Sequence, residues 1–215
     1  MSPSAPESED RMQYLVAKYP ELIADEDGEL LLIKRELTIP NSPDSLGRWA
    51  VDHLFVTKEA VPVLVELKRA ADTRLRREVV GQLLDYAANA TAYWQPGRIA
   101  EAFTANAEKS GLNPDEELAR FLPEMDPAAF WEQVDANFLA GRIKLVFVAD
   151  EIPRELARIV EFLNDQMRAD VRAVELRWFQ GDKDLVTLSP RSIGQTERAA
   201  ASKQANAALP MITRE

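Results

Sequence analysis

The sequence predicts an α/β fold, a central mixed β-sheet flanked by helices. Two patterns carry that reading. Short apolar, β-branched runs of strand length alternate with segments whose apolar residues recur at helical spacing, and such an alternation closes into layers around one core. Size agrees, since 215 residues suit one domain with room for a buried core.

Residues 1–10 are small, Pro-containing and acidic, so a disordered N-terminus is expected, with the folded domain spanning 11–190. Met12, Leu15, Val16 and Tyr19 mark a first helix that ends at Pro20. From Gly28 an apolar run reaches Ile39 and stops at Pro40-Asn41-Ser42-Pro43, giving the first strand. Arg48–Val56 and Pro62–Lys68 are two further strands, joined as a hairpin through 57–61. Thr73–Trp94 is a long helix, with Leu75, Val79 and Leu83 on one stripe, Val80, Leu84 and Ala87 beside it, and Asp72 or Thr73 as cap. A helical insert at about 98–140 is broken by Gly111, Pro114, Pro123 and Pro127. Ile143–Ala149 reads as a buried strand. Asp150-Glu151-Ile152-Pro153 then opens a helix carrying Leu156, Ile159, Val160 and Leu163, and Val171–Phe179 and Leu185–Leu188 are the last strands. After Pro190 the composition turns to Ala, Gln, Ser and Lys, which predicts a linker-like tail over 191–215.

Composition removes several chemistries. The longest apolar runs are far too short to cross a bilayer, and with no basic, apolar leader at the start a cytoplasmic location is the default expectation. The absence of Cys excludes thiol catalysis and thiolate metal sites, and a lone His53 excludes a multi-His centre within one chain. No Walker-type loop, no Gly-x-Gly-x-x-Gly after a strand and no Gly-x-Ser-x-Gly elbow is present. A net charge of −10 argues against a general nucleic-acid coat protein. The distribution is more informative. Only 48–100 is net positive, and within it Lys68, Arg69, Arg74, Arg76 and Arg77 face a single acid, Asp72.

If Glu59 sits at the hairpin tip, residues whose numbers sum to 118 face one another, which sets Asp52 opposite Glu66 and Ala50 opposite Lys68. By strand alternation Glu66 and Lys68 project from one face, and Val63, Val65 and Leu67 from the other. His53 then points away from Asp52, toward a core or surface position and not a ligand one. Opposed carboxylates about 5 Å apart at Cβ repel unless something positive lies between them. Mg²⁺ takes one or two carboxylates with waters and substrate phosphates, so the acid pair and Lys68 match a metal-assisted phosphodiester site. Lys68 is expected to act electrostatically, because service as a general base needs a pKa far below about 10.4. The alternative is a half-buried Glu66–Lys68 ion pair, with Asp52 satisfied by backbone donors. Gln82 and Tyr86 share a face of the next helix with Glu78. They either face the acid pair or serve as boundary and core residues.

Asp52, Glu66-Leu67-Lys68 and Gln82-Leu83-Leu84-Asp85-Tyr86 together resemble the PD-(D/E)XK nuclease superfamily, in particular its RecB-like members with a Gln-x-x-x-Tyr motif. Val51 stands where that family often has Pro. The resemblance implies a restriction-endonuclease-like core and hydrolysis of DNA, of unspecified strandedness. Asp52, Glu66 and the main-chain carbonyl of Leu67 would bind Mg²⁺ or Mn²⁺, and Lys68 would assist the attacking water. Gln82 and Tyr86 would support the site, and Glu21 is the candidate for the acid the family often adds from its first helix. Arg48, Arg69, Arg74, Arg76 and Arg77 would contact nucleic acid, and a homodimer is compatible. The competing expectation is a catalytically inactive nucleic-acid-binding or protein-interaction module on the same fold.

Overall fold

The computed structural model describes residues 2–24, 28–39, 49–70, 78–182 and 185–195. It is an α/β fold with a seven-stranded mixed sheet between helices. In chain order the elements are β1 (Ser2–Ser4), α1 (Glu9–Lys18), α2 (Glu21–Ala24), β2 (Leu30–Ile39), β3 (Trp49–Thr57), β4 (Pro62–Lys68) and α3 (Glu78–Tyr93). They continue with α4 (Arg98–Lys109), α5 (Pro114–Phe121), α6 (Pro127–Leu139), β5 (Lys144–Ala149), α7 (Arg154–Gln166), β6 (Asp170–Gln180) and β7 (Val186–Ile193). The sheet order is β1-β6-β5-β4-β3-β2, with β7 added to β6. β2, β3 and β4 form an antiparallel meander, whereas β4, β5 and β6 run parallel through helical crossovers.

Each face of the sheet has its own core. Leu64, Leu145, Phe147 and Ala173 meet Val79 and Leu83 of α3, Phe130 and Val134 of α6, and Val160 of α7. On the other face Phe55, Val63, Val65, Val146 and Val148 meet Met12 and Val16 of α1. Central strands covered on both faces read as continuous apolar runs, which is why β4 and β5 stand out in the sequence. The insert comprises α4, α5 and α6. Asn113 and Asp126 cap its last two helices, each followed by Pro in the first turn, where a missing N–H costs nothing.

The hairpin register is the one the sequence predicts: His53 pairs Val65, Leu54 pairs Leu64 and Phe55 pairs Val63. Its turn is closed by Ala60 N–H to Thr57 O and Thr57 N–H to Val61 O, both 3.0 Å. Ala60 has φ of 60°, and its buried carbonyl accepts from Asn137 Nδ2 of α6 at 2.8 Å. A slip of one residue would exchange the two faces of β4, so this turn decides where Glu66 points.

Two expectations at the ends of the chain are corrected. Ser2–Ser4, expected to be disordered, pairs with Trp178–Gln180 of β6. β7 occupies the other edge of those residues, so β1 fills the edge of β6 left open beyond the end of β5. Such a strand owes nothing to the propensity of Ser-Pro-Ser and everything to an available partner. At the other end β7 runs through Pro190 to Ile193, so the expected tail boundary at 191 falls inside a strand. Pro190 is tolerated because, among the described residues, β7 pairs on one side only, which is where proline is found in sheets. Residues 196–215 lie outside the described part. No helix among the described residues is long and apolar enough to cross a membrane.

Asn137→Ala should cost about 1–3 kcal/mol by leaving the Ala60 carbonyl buried without a donor. A fall in the urea midpoint with an unchanged m-value is the expected result.

Candidate functional site

The β3–β4 ladder ends at His53 and Val65. Continuing its register sets Asp52 opposite Glu66, and there the strands part. Leu67 N–H, the next amide on that edge of β4, is taken by the carboxylate of Asp52 (Oδ2, 2.7 Å). A strand residue presents its N–H and C=O to the same edge, so the Leu67 carbonyl also points toward β3 at the place where the ladder has stopped.

Asp52 sits at a change of phase in the pleat. His53 and Arg35 face α1, whereas Val51 and Leu37 pack in the opposite layer, so strict alternation fails between 51 and 53 and between 35 and 37. The strand partners place Glu36 opposite Asp52, and Glu36 has φ of 50°, a left-handed conformation that a non-glycine residue adopts at a cost of about 1–3 kcal/mol. The irregularity frees Asp52 from both core layers and directs it at the end of β4.

Glu66 follows Leu64 on the α3 face and is 2% exposed. Its Oε1 is 3.4 Å from Lys68 Nζ, while Oε2 is buried with no hydrogen-bond partner. Lys68 Nζ also donates to Glu9 Oε1 at 3.0 Å. The side chains of Lys68 and Glu9, 21% and 35% exposed, connect this pocket of charge to solvent. From α3, Tyr86 is buried and Gln82 is half-buried with its Oε1 unpartnered.

These surroundings set the protonation states. Burial pushes Asp52 up to about 6, against the pull of the Leu67 N–H and Lys68, with Glu9 and Glu36 adding to the rise. Burial, then the neighbouring charge of Asp52, pushes Glu66 up to about 8. Near neutrality the pair therefore shares one proton. Desolvation works to lower Lys68, yet Glu66, Asp52 and Glu9 outweigh it and the ammonium is held above its ordinary value. Burial, reinforced by the two carboxylates, raises the Tyr86 phenol to about 12, so it stays a hydrogen-bond donor.

Sequence reasoning missed the residues that orient Asp52. Gln13 of α1 donates from Nε2 to Asp52 Oδ1 at 2.8 Å and accepts at Oε1 from Arg35 Nη2 at 3.1 Å. Its main-chain carbonyl lies 2.9 Å from His53 Nε2, which must carry the proton because a carbonyl only accepts. Burial lowers His53 to about 4, so the ring is neutral; it is fully buried and stacked on Phe55, which selects the core position from the core and surface alternatives. A signal for Gln13 was present, a polar residue four positions after Glu9 on the edge of the Met12–Val16 stripe. Glu9 itself fell in the segment expected to be disordered. The acid that the first helix brings to the site is Glu9, whereas Glu21 is exposed at the start of α2, without a hydrogen bond or ion pair to the site among the described residues.

Of the proposed nucleic-acid contacts, Arg69 follows Lys68 directly, half-buried with Nε unpartnered. Arg48, Arg74, Arg76 and Arg77 lie outside the described residues.

The donor set suits a hard divalent cation in one specific way. Among the described residues no group of three or more His, Cys, Asp or Glu is disposed around a common point. A cation here would rest on Asp52, Glu66 with its unpartnered oxygen, the Leu67 carbonyl and oxygens from water or substrate. That is the sparse, carboxylate-poor shell that Mg²⁺ accepts and a dedicated Ca²⁺ cage does not. Searches against protein-family models, curated proteins and solved structures find no match for this chain.

Both carboxyls are raised above their ordinary 3.8 and 4.5, so the folded chain holds the extra proton. The resulting stability is complete below those values and is lost as pH rises through about 6 and then about 8. Glu66→Gln removes the second step. It should melt about 5 °C above the wild type at pH 8, on a scale of roughly 2–4 °C per kcal/mol for this chain length, with the gap closing toward pH 5. Melting curves at three pH values check this, and a gap independent of pH contradicts it.

Proposed function

We propose that this protein is a divalent-cation-dependent nuclease that hydrolyses DNA phosphodiester bonds on a restriction-endonuclease-like core. The observation that carries the reading is the unpartnered, buried Oε2 of Glu66 beside Asp52, with Lys68 in contact, at the carboxyl end of β4. A fold gains nothing from leaving a buried carboxylate oxygen without a donor, whereas a cation site requires one. Further support comes from the order of elements: a helix, a three-stranded meander, a crossover helix carrying Gln82 and Tyr86, and a strand parallel to β4.

Hydrolysis puts a water oxygen on phosphorus, breaks one P–O bond and delivers a proton to the departing oxygen. Bound Mg²⁺ or Mn²⁺ would supply Lewis acidity and a more acidic water; Asp52, Glu66 and the Leu67 carbonyl would hold it. Lys68, kept as an ammonium, offsets charge that builds on the phosphoryl oxygens and orients the attacking water. Tyr86, kept protonated, would be available to donate a hydrogen bond to substrate. Gln13, clamped by Arg35, holds the Asp52 carboxylate that would bind the cation, the role that outer hydrogen-bond partners play at metal sites.

A second reading, a silent binding module on the same fold, is favoured by one feature: both Asp52 oxygens and Lys68 already have protein partners. Labelled single- and double-stranded DNA with Mg²⁺ or Mn²⁺ separates the two. The wild type should cleave, and Asp52→Ala, Glu66→Ala and Lys68→Ala should each lose about 10²-fold to 10³-fold or more while retaining their circular dichroism. Equal inertness of all four proteins on varied substrates leaves the module reading.

Gln13→Leu preserves the bulk of the side chain and removes both of its hydrogen bonds. Its apparent Mg²⁺ affinity in the cleavage assay should fall about 10-fold to 100-fold.

A further inference from the structure

The geometry points to Arg177 and Arg191 as a fork that takes a backbone phosphate of a nucleic-acid strand, on the same sheet face as Glu66 and Lys68. This rests on the reading of that pair, with Asp52, as the cleaving site. The fork is built on Glu175 of β6, which is 1% exposed. Glu175 Oε1 accepts from Ile152 N–H just ahead of α7 at 3.1 Å. Its Oε2 receives Arg177 Nε at 2.8 Å and lies 3.2 Å from Arg191 Nε.

Three features separate this from an ordinary cross-link. The two arginine side chains are 57% and 59% exposed. Both are anchored to Glu175 through Nε, and no hydrogen bond of their terminal Nη groups is found among the described residues. One arginine would neutralise Glu175, so the second is more than burial of that carboxylate requires and leaves the group with one net positive charge. Guanidinium groups already fixed in direction lose little side-chain entropy when they engage a phosphate oxygen pair.

The position fits an extended strand passing the cleaving site. Lys68 pairs Ala149, Ala149 pairs Glu175 and Glu175 pairs Arg191, so the four lie in one row across the sheet. Three strand spacings separate Lys68 from Arg191, about 14 Å, and Ala149 between them is itself buried in the core. β7, which presents Arg191, is clamped near its end by Asn164, whose Nδ2 donates to Gly194 O at 2.6 Å and whose Oδ1 accepts from Val171 N–H at 2.9 Å. Gly194 has φ of +106°, and a Cβ there would meet the Val171 carbonyl at 2.9 Å.

The test measures binding of a fluorescein-labelled single strand of about 12 nucleotides, within the range of single-strand site sizes, by anisotropy in EDTA across a salt series. Arg177→Gln and Arg191→Gln are compared with the wild type; each leaves one arginine to pair Glu175, so both should fold. Each should bind roughly threefold to tenfold more weakly at low salt, with the slope of log K against log salt reduced by about 0.7. Variants that match the wild type in affinity and slope, or a wild type that does not bind, overturn the fork. Because EDTA removes cleavage from the measurement, the two readings fail separately. Unchanged binding in a protein that cleaves sinks the fork alone, and reduced binding and slope in a protein that never cleaves sustain the fork as a phosphate site while the nuclease reading falls.

Discussion

Two carboxylates brought together out of water are costly, and a single ammonium does not cancel them. Asp52 and Glu66 meet where an antiparallel ladder ends, and the surrounding structure answers the excess charge piece by piece. A main-chain N–H and the Gln13 amide hold Asp52, Lys68 leans on Glu66, and one oxygen of Glu66 is left over. Glu9, on the solvent side of Lys68, accepts from its ammonium and adds a third carboxylate to the cluster.

The arrangement depends on rigidity around the hairpin. β4 is buried between two helical layers and its turn is pinned to the insert through Asn137, so Glu66 has no freedom to turn away. The neighbouring strands are irregular where the regular strand is not: the left-handed Glu36 and the phase change at Asp52 tilt one acid toward the other. Irregularities of this kind re-aim side chains beside functional sites. α1 completes the enclosure from the far side, with Gln13 and Glu9 one turn apart reaching Asp52 and Lys68. At the loops beyond the strands, Asp150 binds Ala70 N–H at 2.6 Å and closes the end of β4 against the end of β5.

Much of this was legible beforehand. The hairpin register followed from turn length and the two-residue period, and it placed Asp52 opposite Glu66 on the correct residues. Helical spacing put Gln82 and Tyr86 on one face of the next helix, and alternation turned His53 away from Asp52 without deciding between a core and a surface position. The first helix was recognised and its contribution misassigned, to Glu21 in place of Glu9 and Gln13. The phase change at Asp52 had no signal, because a Glu with positive φ looks like any other Glu. β1 and the length of β7 were also hidden, since edge strands form where a neighbouring strand leaves hydrogen-bonding groups unpaired.

By itself the sequence determined periods and therefore faces: which residues of β4 enter each core, which helix follows it, and that an acid pair would share one end of a hairpin. Those properties depend on a few residues and on the geometry of one element or turn. Tertiary structure decided everything that required closure over long stretches of chain, with Gln13 and Asp52 separated by 39 positions, Glu9 and Lys68 by 59, and Ala70 and Asp150 by 80. Such contacts are fixed by how helices seat on the sheet, a collective result of packing two cores at once, and no local pattern of residues encodes which side chain will arrive.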